Sequence, residues 1–358
     1  MKSKIVIFRE ANQPLEIVSW PIPALTEGQI LVRNEYTTLC RSDLSTYGGK
    51  RKEKSPTILG HEIVGRIAAF GPEAPQSDCE GNPLCIGDRI TWAIYASDPT
   101  GEMAQRGIPQ KAPDLFKYGH EQLTPENSLH GGLAEYTLLR KHTPILKLRE
   151  EVPLQVTAII NCAVSTVAGS LRLAGELKGK RVGIWGAGML GVIACAMCHN
   201  QGAQEILALD IQDERLSVAQ RFGATRLVNT TKEQLTDNQL DVTIDFSGHI
   251  QCMKDSIEAL AIGGTAVWIG GVCPQAPVPI DSEQFIRKLL TLKGLHNYNL
   301  EDFRTAVTFI QENYQRYPIA DLIYDGFDLE HAEEAFQYAL RANPYRVGIH
   351  INPEENCL

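Results

Sequence analysis

Residues 181–191 read RVGIWGAGMLG, and this stretch decides the fold of the second half of the chain. An apolar run of strand length leads directly into G-x-G-x-x-G, and a helical pattern, VIACAMCHNQ, follows it. Gly186 permits a tight turn, Gly188 lets a pyrophosphate approach the backbone, and Gly191 allows the helix to pack closely on the sheet. The pattern predicts a dinucleotide site.

A carboxylate farther along the chain predicts which dinucleotide binds. A glycine-rich turn also occurs for packing reasons alone, so a second residue is needed to decide. Residues 205–209 have strand composition, and the strand ends in Asp210. A carboxylate there accepts hydrogen bonds from ribose hydroxyls and repels a 2′-phosphate, which favours NAD over NADP. Arg215 offers a cation nearby, but Asp210 is expected to dominate.

Strands and helices alternate from residue 165 to residue 295. Six strands with intervening helices predict a doubly wound, parallel Rossmann sheet of the α/β class. Ligands bind such sheets at the carboxyl ends of the strands and at helix N-termini. The further candidate cofactor contacts are therefore Met189, Leu190, Ser247 and Gly270.

Length and composition set the outer bounds. A chain of 358 residues exceeds what one core usually supports, so two domains are expected. The hydrophobic share of 43% and charged share of 22% are those of an ordinary globular protein. A net charge of −9 argues against nucleic-acid binding, and no apolar run approaches membrane-spanning length. The nine scattered cysteines predict reduced thiols or metal ligands in a cytoplasmic protein.

The first part of the chain is rich in short strands. Residues 5–8, 29–36, 63–69 and 85–92 have strand composition with Gly and Pro between them. A proline-rich interval, PLEIVSWPIPALTEG, separates the first two strands and excludes a helix there. The pattern predicts a small barrel-like β domain in front of the nucleotide domain.

Three soft-ligand candidates, Cys40, His61 and Cys162, lie in the chain segments around this β domain. They are far apart in sequence, so their spacing alone does not define a metal site. Taken by themselves, the two cysteines are better interpreted as small buried hydrophobes, and His61 as a hydrogen-bonded core residue.

The whole chain resembles the medium-chain zinc-dependent alcohol dehydrogenases. The matching motifs, in the family's order, are CRSD at 40–43, LGHEIVG at 59–65, GDRI at 87–90, GGLAEY at 131–136, NCA at 161–163 and GAGMLG at 186–191. The resemblance implies a GroES-like, β-rich catalytic domain over 1–163, the NAD-binding Rossmann domain over 164–296, and a return to the catalytic domain over 297–358. It also implies a homodimer or homotetramer that binds neither membrane nor nucleic acid and acts on a small alcohol or carbonyl substrate.

The resemblance also assigns site residues. It implies that Cys40, His61 and Cys162 hold one catalytic zinc, which leaves the fourth tetrahedral position open. Zinc lowers the pKa of a bound hydroxyl and so prepares an alcohol to give hydride to NAD⁺. The remaining family positions are Asp43, which orients the ligand histidine, Glu62, which can approach the metal, Ser42, which takes the alcohol proton, and Arg346, which contacts the cofactor diphosphate.

Two positions depart from the family pattern. The structural zinc lobe of relatives has four cysteines, and this sequence has Asp98, Gly101, Ala104 and Ala112 at that spacing. A second zinc is therefore expected to be absent. Many relatives carry a proton-relaying His where this chain has Ser45, so a shorter or different relay is expected.

A narrower likeness bears on the substrate. Segments CRSDLSTYGGKR, GIPQK and LFKYGHE resemble the subgroup of these dehydrogenases that is associated with phosphonate metabolism. The basic loop at 48–54 is either a solvated surface loop or a rim that attracts an anionic substrate. We expect a small hydroxylated phosphonate as substrate, with a polyol or ordinary alcohol as the alternative. His120 and His296 receive no assigned role. A zinc-free quinone reductase, or a dinucleotide-binding protein without activity, is the alternative from another class.

Overall fold

A computed structural model describes residues 1–235, 239–272 and 274–352. The chain divides into two compact units. The first comprises Met1–Cys162, Asn299–Tyr314 and the chain from Ile319 onward, and the second comprises Ala163–Tyr298 and Gln315–Pro318.

The strands are β1 (Lys2–Ile7), β2 (Glu16–Pro21), β3 (Ile30–Leu39), β4 (Glu62–Phe70), β5 (Arg89–Trp92), β6 (Tyr95–Ala96), β7 (Phe116–Lys117), β8 (Tyr136–Leu139), β9 (Ile145–Lys147), β10 (Arg181–Trp185), β11 (Glu205–Asp210), β12 (Arg226–Asn229), β13 (Leu240–Asp245), β14 (Leu260–Trp268), β15 (Thr291–Gly294), β16 (Ile323–Asp328) and β17 (Arg346–His350). The α-helices are α1 (Arg41–Tyr47), α2 (Glu102–Gln105), α3 (Leu154–Ala158), α4 (Ser165–Ala174), α5 (Met189–Asn200), α6 (Asp213–Arg221), α7 (Ile250–Glu258), α8 (Ser282–Arg287), α9 (Leu300–Asn313) and α10 (Ala332–Ala342).

The first unit is built on a seven-stranded sheet. Its order is β16-β17-β3-β4-β5-β9, with β8 paired to β3. All of its pairings are antiparallel except the parallel pair β16–β17, which returns from the C-terminal part of the chain. The predicted β-rich domain is confirmed. The proline-rich interval holds a strand that was not predicted, β2, which pairs with β1 and ends at Pro21, where a missing N–H is tolerated.

The second unit is a six-stranded parallel sheet. Its order is β12-β11-β10-β13-β14-β15, and every pairing in it is parallel. This is the doubly wound order whose direction reverses between its first and fourth strands, β10 and β13. The predicted Rossmann sheet is therefore confirmed. Cys195 and Cys198 are fully buried in the middle of α5, as predicted, and the seven cysteines among the described residues form no disulfide.

One helical stretch bears on the expectation about membranes. Leu154–Ala174 is 21 residues long and apolar enough to cross a membrane, so the expectation that no run approaches that length was wrong. However, 83% of this stretch is buried inside the protein, as in the core helices of globular folds. Its apolar residues are accounted for by packing.

Candidate metal centre and dinucleotide turn

Three side chains that are distant in sequence meet in the first unit. The ligand atoms of Cys40, His61 and Cys162 all lie within 4.8 Å of one another. A tetrahedral zinc with bonds of about 2.0–2.3 Å requires ligand atoms roughly 3.3–3.8 Å apart. Two sulfurs and one imidazole nitrogen are a donor set that zinc prefers. The residues present therefore fit the metal that the sequence predicts.

Cys40 and His61 are positioned by the same carboxylate. Cys40 precedes the first residue of α1, and its N–H donates to Asp43 Oδ2 at 2.9 Å. The other oxygen, Asp43 Oδ1, accepts from the Gly60 N–H at 3.2 Å and lies 3.4 Å from His61 Nδ1. The carboxylate thus fixes two ligand-bearing segments and leaves His61 Nε2 for a metal. This placement supports the orienting role that the resemblance implied for Asp43, which stays a prediction.

Cys162 lies in a short π-helix, Ile160–Val164, between α3 and α4. π-Turns are rare and occur frequently at functional sites because they displace a side chain from its helical position. The neighbouring Asn161 is fully buried and donates from Nδ2 to the Trp92 carbonyl at 3.0 Å, which ties the turn to the end of β5. Local sequence carried no signal for the π-turn.

The three ligand side chains perturb one another electrostatically. Burial by itself would lower the pKa of His61, but the Asp43 carboxylate and Cys40 together outweigh burial and raise that pKa to about 10. A hydrogen bond from the Cys162 thiol lowers the pKa of Cys40 and raises that of Cys162. A thiol must lose its proton and an imidazolium must become neutral imidazole to bind a metal, so metal binding to this trio displaces protons.

Glu62 and Arg346 form a fully buried ion pair beside the trio. Arg346 Nε lies 2.8 Å from Glu62 Oε2, Nη2 lies 3.1 Å from Oε1, and the same Nη2 approaches Cys40 Sγ at 3.6 Å. Thr38 Oγ1 donates a short hydrogen bond to the same carboxylate. The structure thus brings Arg346 to the metal ligands through Glu62, and its predicted contact with a cofactor diphosphate stays a prediction.

Ser42 is the third predicted catalytic residue. Its Oγ lies 3.5 Å from His61 Nε2, on the ligand side of the imidazole ring. The hydroxyl therefore lies close to the position that a metal bound to His61 Nε2 would occupy. The structure brings Ser42, Asp43 and Glu62 together with all three predicted ligands.

The glycine-rich turn has the geometry that its sequence predicted. Gly186 adopts a left-handed φ of 90°, and Gly188 precedes the first residue of α5. A Cβ at Gly191 would lie 1.9 Å from the Gly186 carbonyl oxygen, so only glycine fits there. A Cβ at Gly188 would meet no atom closer than Arg215 Nη1 at 3.8 Å, which leaves its face open to a ligand. Met189 and Leu190 open the helix behind it.

Asp210 is held firmly at the end of β11. Its Oδ2 accepts from the Ala187 N–H at 2.7 Å, and its Oδ1 accepts from the N–H groups of Ile211 and Gln212 at 2.8 and 3.0 Å. The carboxylate therefore ties the second strand to the glycine turn. Arg215 lies close to the same turn, with its Nε donating to the Gln212 side chain at 3.0 Å.

The other two predicted cofactor contacts lie at the neighbouring strand ends. Ser247 Oγ donates to Asp245 Oδ1 at 2.6 Å, and a Cβ at Gly186 would touch the Ser247 backbone at 3.1 Å. A Cβ at Gly270 would lie 2.1 Å from the Gly248 nitrogen. The carboxyl ends of β10, β13 and β14 therefore meet at the point where the strand order reverses.

The predicted basic loop contains both solvent-exposed cations and a cation that forms an ion pair within the protein. Lys50 and Lys52 are exposed, whereas Arg51 turns inward and pairs with Glu53 Oε1 at 2.6 Å. His120 Nδ1 lies 3.1 Å from the same oxygen, and the His120 ring packs on His61 with centroids 4.9 Å apart. Glu53 was not singled out in the sequence analysis, although an acidic residue within a basic run was an available signal.

The lobe that carries cysteines in relatives is held by hydrogen bonds in this chain. Asp98 Oδ1 accepts from the Thr100 N–H at 2.8 Å, and the Asp98 N–H donates to Asp114 Oδ2 at 3.1 Å. Asn299 Nδ2 donates to the Gly107 carbonyl at 3.1 Å, which links the lobe to the start of α9.

Comparison with known protein families finds a matching domain family for each of the two units. Residues 26–150 match the alcohol dehydrogenase GroES-like domain, and residues 190–312 match the zinc-binding dehydrogenase domain. The chain is similar to L-threonine 3-dehydrogenase of Aeromonas hydrophila, at 28% identity over 321 residues that cover 86% of this chain and 85% of that one.

Two solved structures show the same fold. An alcohol dehydrogenase from Thermotoga maritima has a TM-score of 0.92 at 24% identity, covering 98% of this chain and 100% of that chain. A zinc-binding dehydrogenase from Sinorhizobium meliloti, solved bound to NADP, has a TM-score of 0.85 at 21% identity, covering 98% and 99%.

Proposed function

The chain belongs to the medium-chain zinc-dependent alcohol dehydrogenase family and is an NAD-dependent zinc oxidoreductase, and we propose that it acts on a small alcohol that carries an anionic group. The observation that carries the proposal is the convergence of Cys40, His61 and Cys162 within 4.8 Å in a chain that also has the dinucleotide turn. A hydroxylated phosphonate is the favoured substrate.

The side chains divide the work as follows. Bound zinc acts as a Lewis acid that lowers the pKa of an alcohol hydroxyl, and NAD supplies the hydride acceptor. Cys40, His61 and Cys162 would hold the metal, and the Asp43 carboxylate lies 3.4 Å from His61 Nδ1, where it would orient the imidazole. The Ser42 hydroxyl, 3.5 Å from His61 Nε2, is placed to receive the alcohol proton.

Asp210 supports a preference for NAD over NADP. Its carboxylate is oriented by three backbone N–H groups, so it presents a fixed negative charge beside the glycine turn. Such a charge favours ribose hydroxyls and opposes a 2′-phosphate. Arg215 acts in the opposite sense, and its Nε donates to the Gln212 side chain at 3.0 Å.

Two observations support an anionic substrate. The sequence segments around Cys40, Lys111 and His120 resemble the phosphonate-associated subgroup. The Arg51 guanidinium is also linked through Glu53 to His120, whose ring packs on that of His61. L-Threonine, on which the similar Aeromonas enzyme is named to act, is the second candidate because it also carries an anionic group next to a hydroxyl. A neutral polyol or ordinary alcohol is the alternative within the same reaction class. A cytoplasmic location and an assembly of two or four copies stay predictions.

Metal content and turnover test the proposal together. We would measure zinc per subunit by elemental analysis and NADH formation with 2-hydroxyethylphosphonate, L-threonine, glycerol and 1-propanol. About one zinc per subunit with faster turnover of the anionic alcohols is the expected result. About two zincs would show that the lobe near Asp98 binds metal, and turnover of neutral alcohols alone would refute the anionic substrate.

Two cysteine variants distinguish the loss of a metal ligand from a general effect of removing a buried cysteine. Cys162→Ala is expected to lose zinc and turnover together, whereas Cys195→Ala, buried in the middle of α5, is expected to keep its zinc. Full turnover by a zinc-free Cys162→Ala protein would refute the metal site and favour the quinone reductase alternative.

A further inference from the structure

We propose that His120, held in place by Glu53, is a positioning residue that fixes the imidazole ring of the metal ligand His61. The inference rests on the metal site of the proposed function and deepens it, because it adds two residues that act on a ligand without binding the metal. It also gives the loop at 48–54 a part in the site, since that loop supplies the Glu53 carboxylate.

The first observation is a direct contact between two histidine rings. The ring centroids of His61 and His120 lie 4.9 Å apart, and the ring planes are inclined by 33°. This separation is within the range at which aromatic rings attract one another. Both residues are buried, His61 at 2% and His120 at 8% exposure, so little water competes for the contact. The contact therefore limits rotation of the His61 ring about its Cβ–Cγ bond.

The second observation is that the backbone beside His120 packs on the backbone beside His61. Gly119 has a left-handed φ of 74°, and its N–H donates to the His130 carbonyl at 2.8 Å. A Cβ at Gly119 would lie 2.6 Å from the Gly60 carbonyl oxygen and 3.1 Å from His61 Cβ. Glycine permits this approach because it has no Cβ and tolerates a positive φ. The turn before His120 is therefore fixed against the segment that carries the ligand.

The third observation is that a carboxylate fixes the His120 ring. Glu53 Oε1 lies 3.1 Å from His120 Nδ1, and because a carboxylate only accepts hydrogen bonds, this nitrogen is the donor. The same oxygen pairs with Arg51 Nη2 at 2.6 Å, and the Glu53 side chain is 10% exposed. Charge-assisted bonds of this kind are stronger than neutral ones. The His120 ring cannot turn away from His61 without breaking its bond to Glu53.

The known partner of His61 leaves room for a second support. Asp43 Oδ1 lies 3.4 Å from His61 Nδ1, which exceeds the usual N–H···O range of about 2.7–3.2 Å. Among the described residues, His61 Nδ1 has no hydrogen bond of standard geometry. The carboxylate attracts the ring nitrogen, but it does not by itself set the plane of the ring. The His120 ring supplies a constraint of a different kind, through ring packing.

The first experiment measures zinc affinity by competition between the zinc-loaded enzyme and a chromophoric chelator. His120→Ala is expected to weaken zinc binding about tenfold, which is the lower end of the effect of residues that orient a metal ligand. His199→Ala is the matched control, because His199 also has a ring contact and a hydrogen bond, both to Tyr317, in the second unit. Its zinc affinity is expected to equal that of the wild type.

A double-mutant cycle tests whether Glu53 acts through His120. Glu53→Gln alone is expected to weaken zinc binding severalfold, and the double variant is expected to lose no more affinity than His120→Ala. Glu16→Gln is the control, because Glu16 pairs with Arg9 at 2.6 Å, the distance at which Glu53 pairs with Arg51. Losses that simply add in the double variant would refute the assigned role of Glu53.

A spectroscopic measurement separates positioning from general stability. Cobalt(II) in place of zinc has visible absorption bands that respond to the arrangement of its ligands. His120→Ala is expected to shift these bands at full cobalt occupancy, whereas His199→Ala is expected to keep the wild-type spectrum. A variant that was only less stable would bind less cobalt with an unshifted spectrum, and that result would overturn the positioning role.

The remaining outcomes are decisive as well. Wild-type zinc affinity in His120→Ala, or equal weakening in His199→Ala, would refute the inference and leave the metal site standing. Failure of the metal site itself would appear in the wild-type protein, as an absence of bound zinc before any variant is compared. Glu53→Gln is the second variant in case His120→Ala folds poorly, and wild-type affinity and an unshifted cobalt spectrum in Glu53→Gln would then refute the inference.

Discussion

Arg346 and Glu62, 284 residues apart in sequence, form an ion pair in which both side chains are at most 2% exposed. Burial raises the pKa of the Glu62 carboxyl, and the Arg346 guanidinium opposes that rise. Because Arg346 Nη2 also approaches Cys40 Sγ at 3.6 Å, the pair joins β17 to the metal ligands.

Breaking this pair is expected to destabilise the first unit strongly. Glu62→Gln leaves a buried guanidinium without its carboxylate, which typically costs about 3–5 kcal/mol. The exposed pair Lys254–Glu258, at 3.4 Å, provides the matched control, and Glu258→Gln is expected to cost less than about 1 kcal/mol. Urea titrations of the zinc-loaded proteins measure both. Equal shifts in the two midpoints would contradict the structural importance of the buried pair.

Asp43→Asn is expected to weaken zinc binding without abolishing the fold. The amide can still accept one hydrogen bond, but it loses the charge that faces His61 Nδ1 at 3.4 Å. Loss of such a partner behind a ligand histidine typically lowers metal affinity about 10–100-fold. Competition with a chromophoric chelator measures the affinity. Asp98→Asn is the control, because the Asp98 carboxylate accepts hydrogen bonds from Thr100 in its own loop. An effect of the same size there would argue against the assigned role of Asp43.

Two glycines of the dinucleotide turn are expected to respond differently to alanine. Gly188→Ala should leave thermal stability unchanged, since its Cβ meets no atom within 3.8 Å, and should raise KM for NAD. Gly191→Ala should lower both stability and cofactor affinity, since its Cβ would lie 1.9 Å from a carbonyl oxygen. Gly294→Ala, with open space around its Cβ, is the neutral control. A stable Gly191→Ala protein with wild-type NAD binding would show that the turn can shift.

Asp210→Asn and Arg215→Gln are expected to move cofactor preference in opposite directions. Removing the Asp210 charge should lower the NAD-to-NADP ratio of kcat/KM roughly tenfold or more, because a hydrogen bond to a charged group is worth about 1.5–3 kcal/mol and about 1.4 kcal/mol is a factor of ten. Removing the Arg215 charge near the same turn should raise that ratio. Steady-state kinetics with both cofactors give the two ratios. If Asp210→Asn left its ratio unchanged, another residue would be setting the preference.

The fold could be predicted from the sequence because its signals are local. The strand before Gly186, the helix after Gly188 and the alternation that follows depend on periodicity and on glycine stereochemistry. The sheet order then follows from the small number of connections that parallel strands allow. The strand over Glu16–Pro21 was missed since proline-rich composition usually indicates a loop, and here pairing with β1 outweighs it.

The site could be predicted only in part. Cys40, His61 and Cys162 were identified through family resemblance, since their separation in sequence conceals the distance between them. The pairing of Arg346 with Glu62 depends on β17 lying beside β3, a long-range contact that no local pattern contains. The basic loop could not be resolved into inward and outward residues, because Arg51 turns inward only to meet Glu53 and His120.

The π-turn over Ile160–Val164 has a consequence for how this segment tolerates change. Each residue of an α-helix advances the chain by about 100° around the axis, so a helix with one residue fewer between α3 and Cys162 would carry the thiol to another face. The anchoring bond from Asn161 to the Trp92 carbonyl would be lost in the same rotation. A substitution here changes one side chain, whereas deletion of a single residue would change the direction in which the Cys162 side chain leaves the helix axis. The number of residues in this stretch is therefore under as much constraint as their identity.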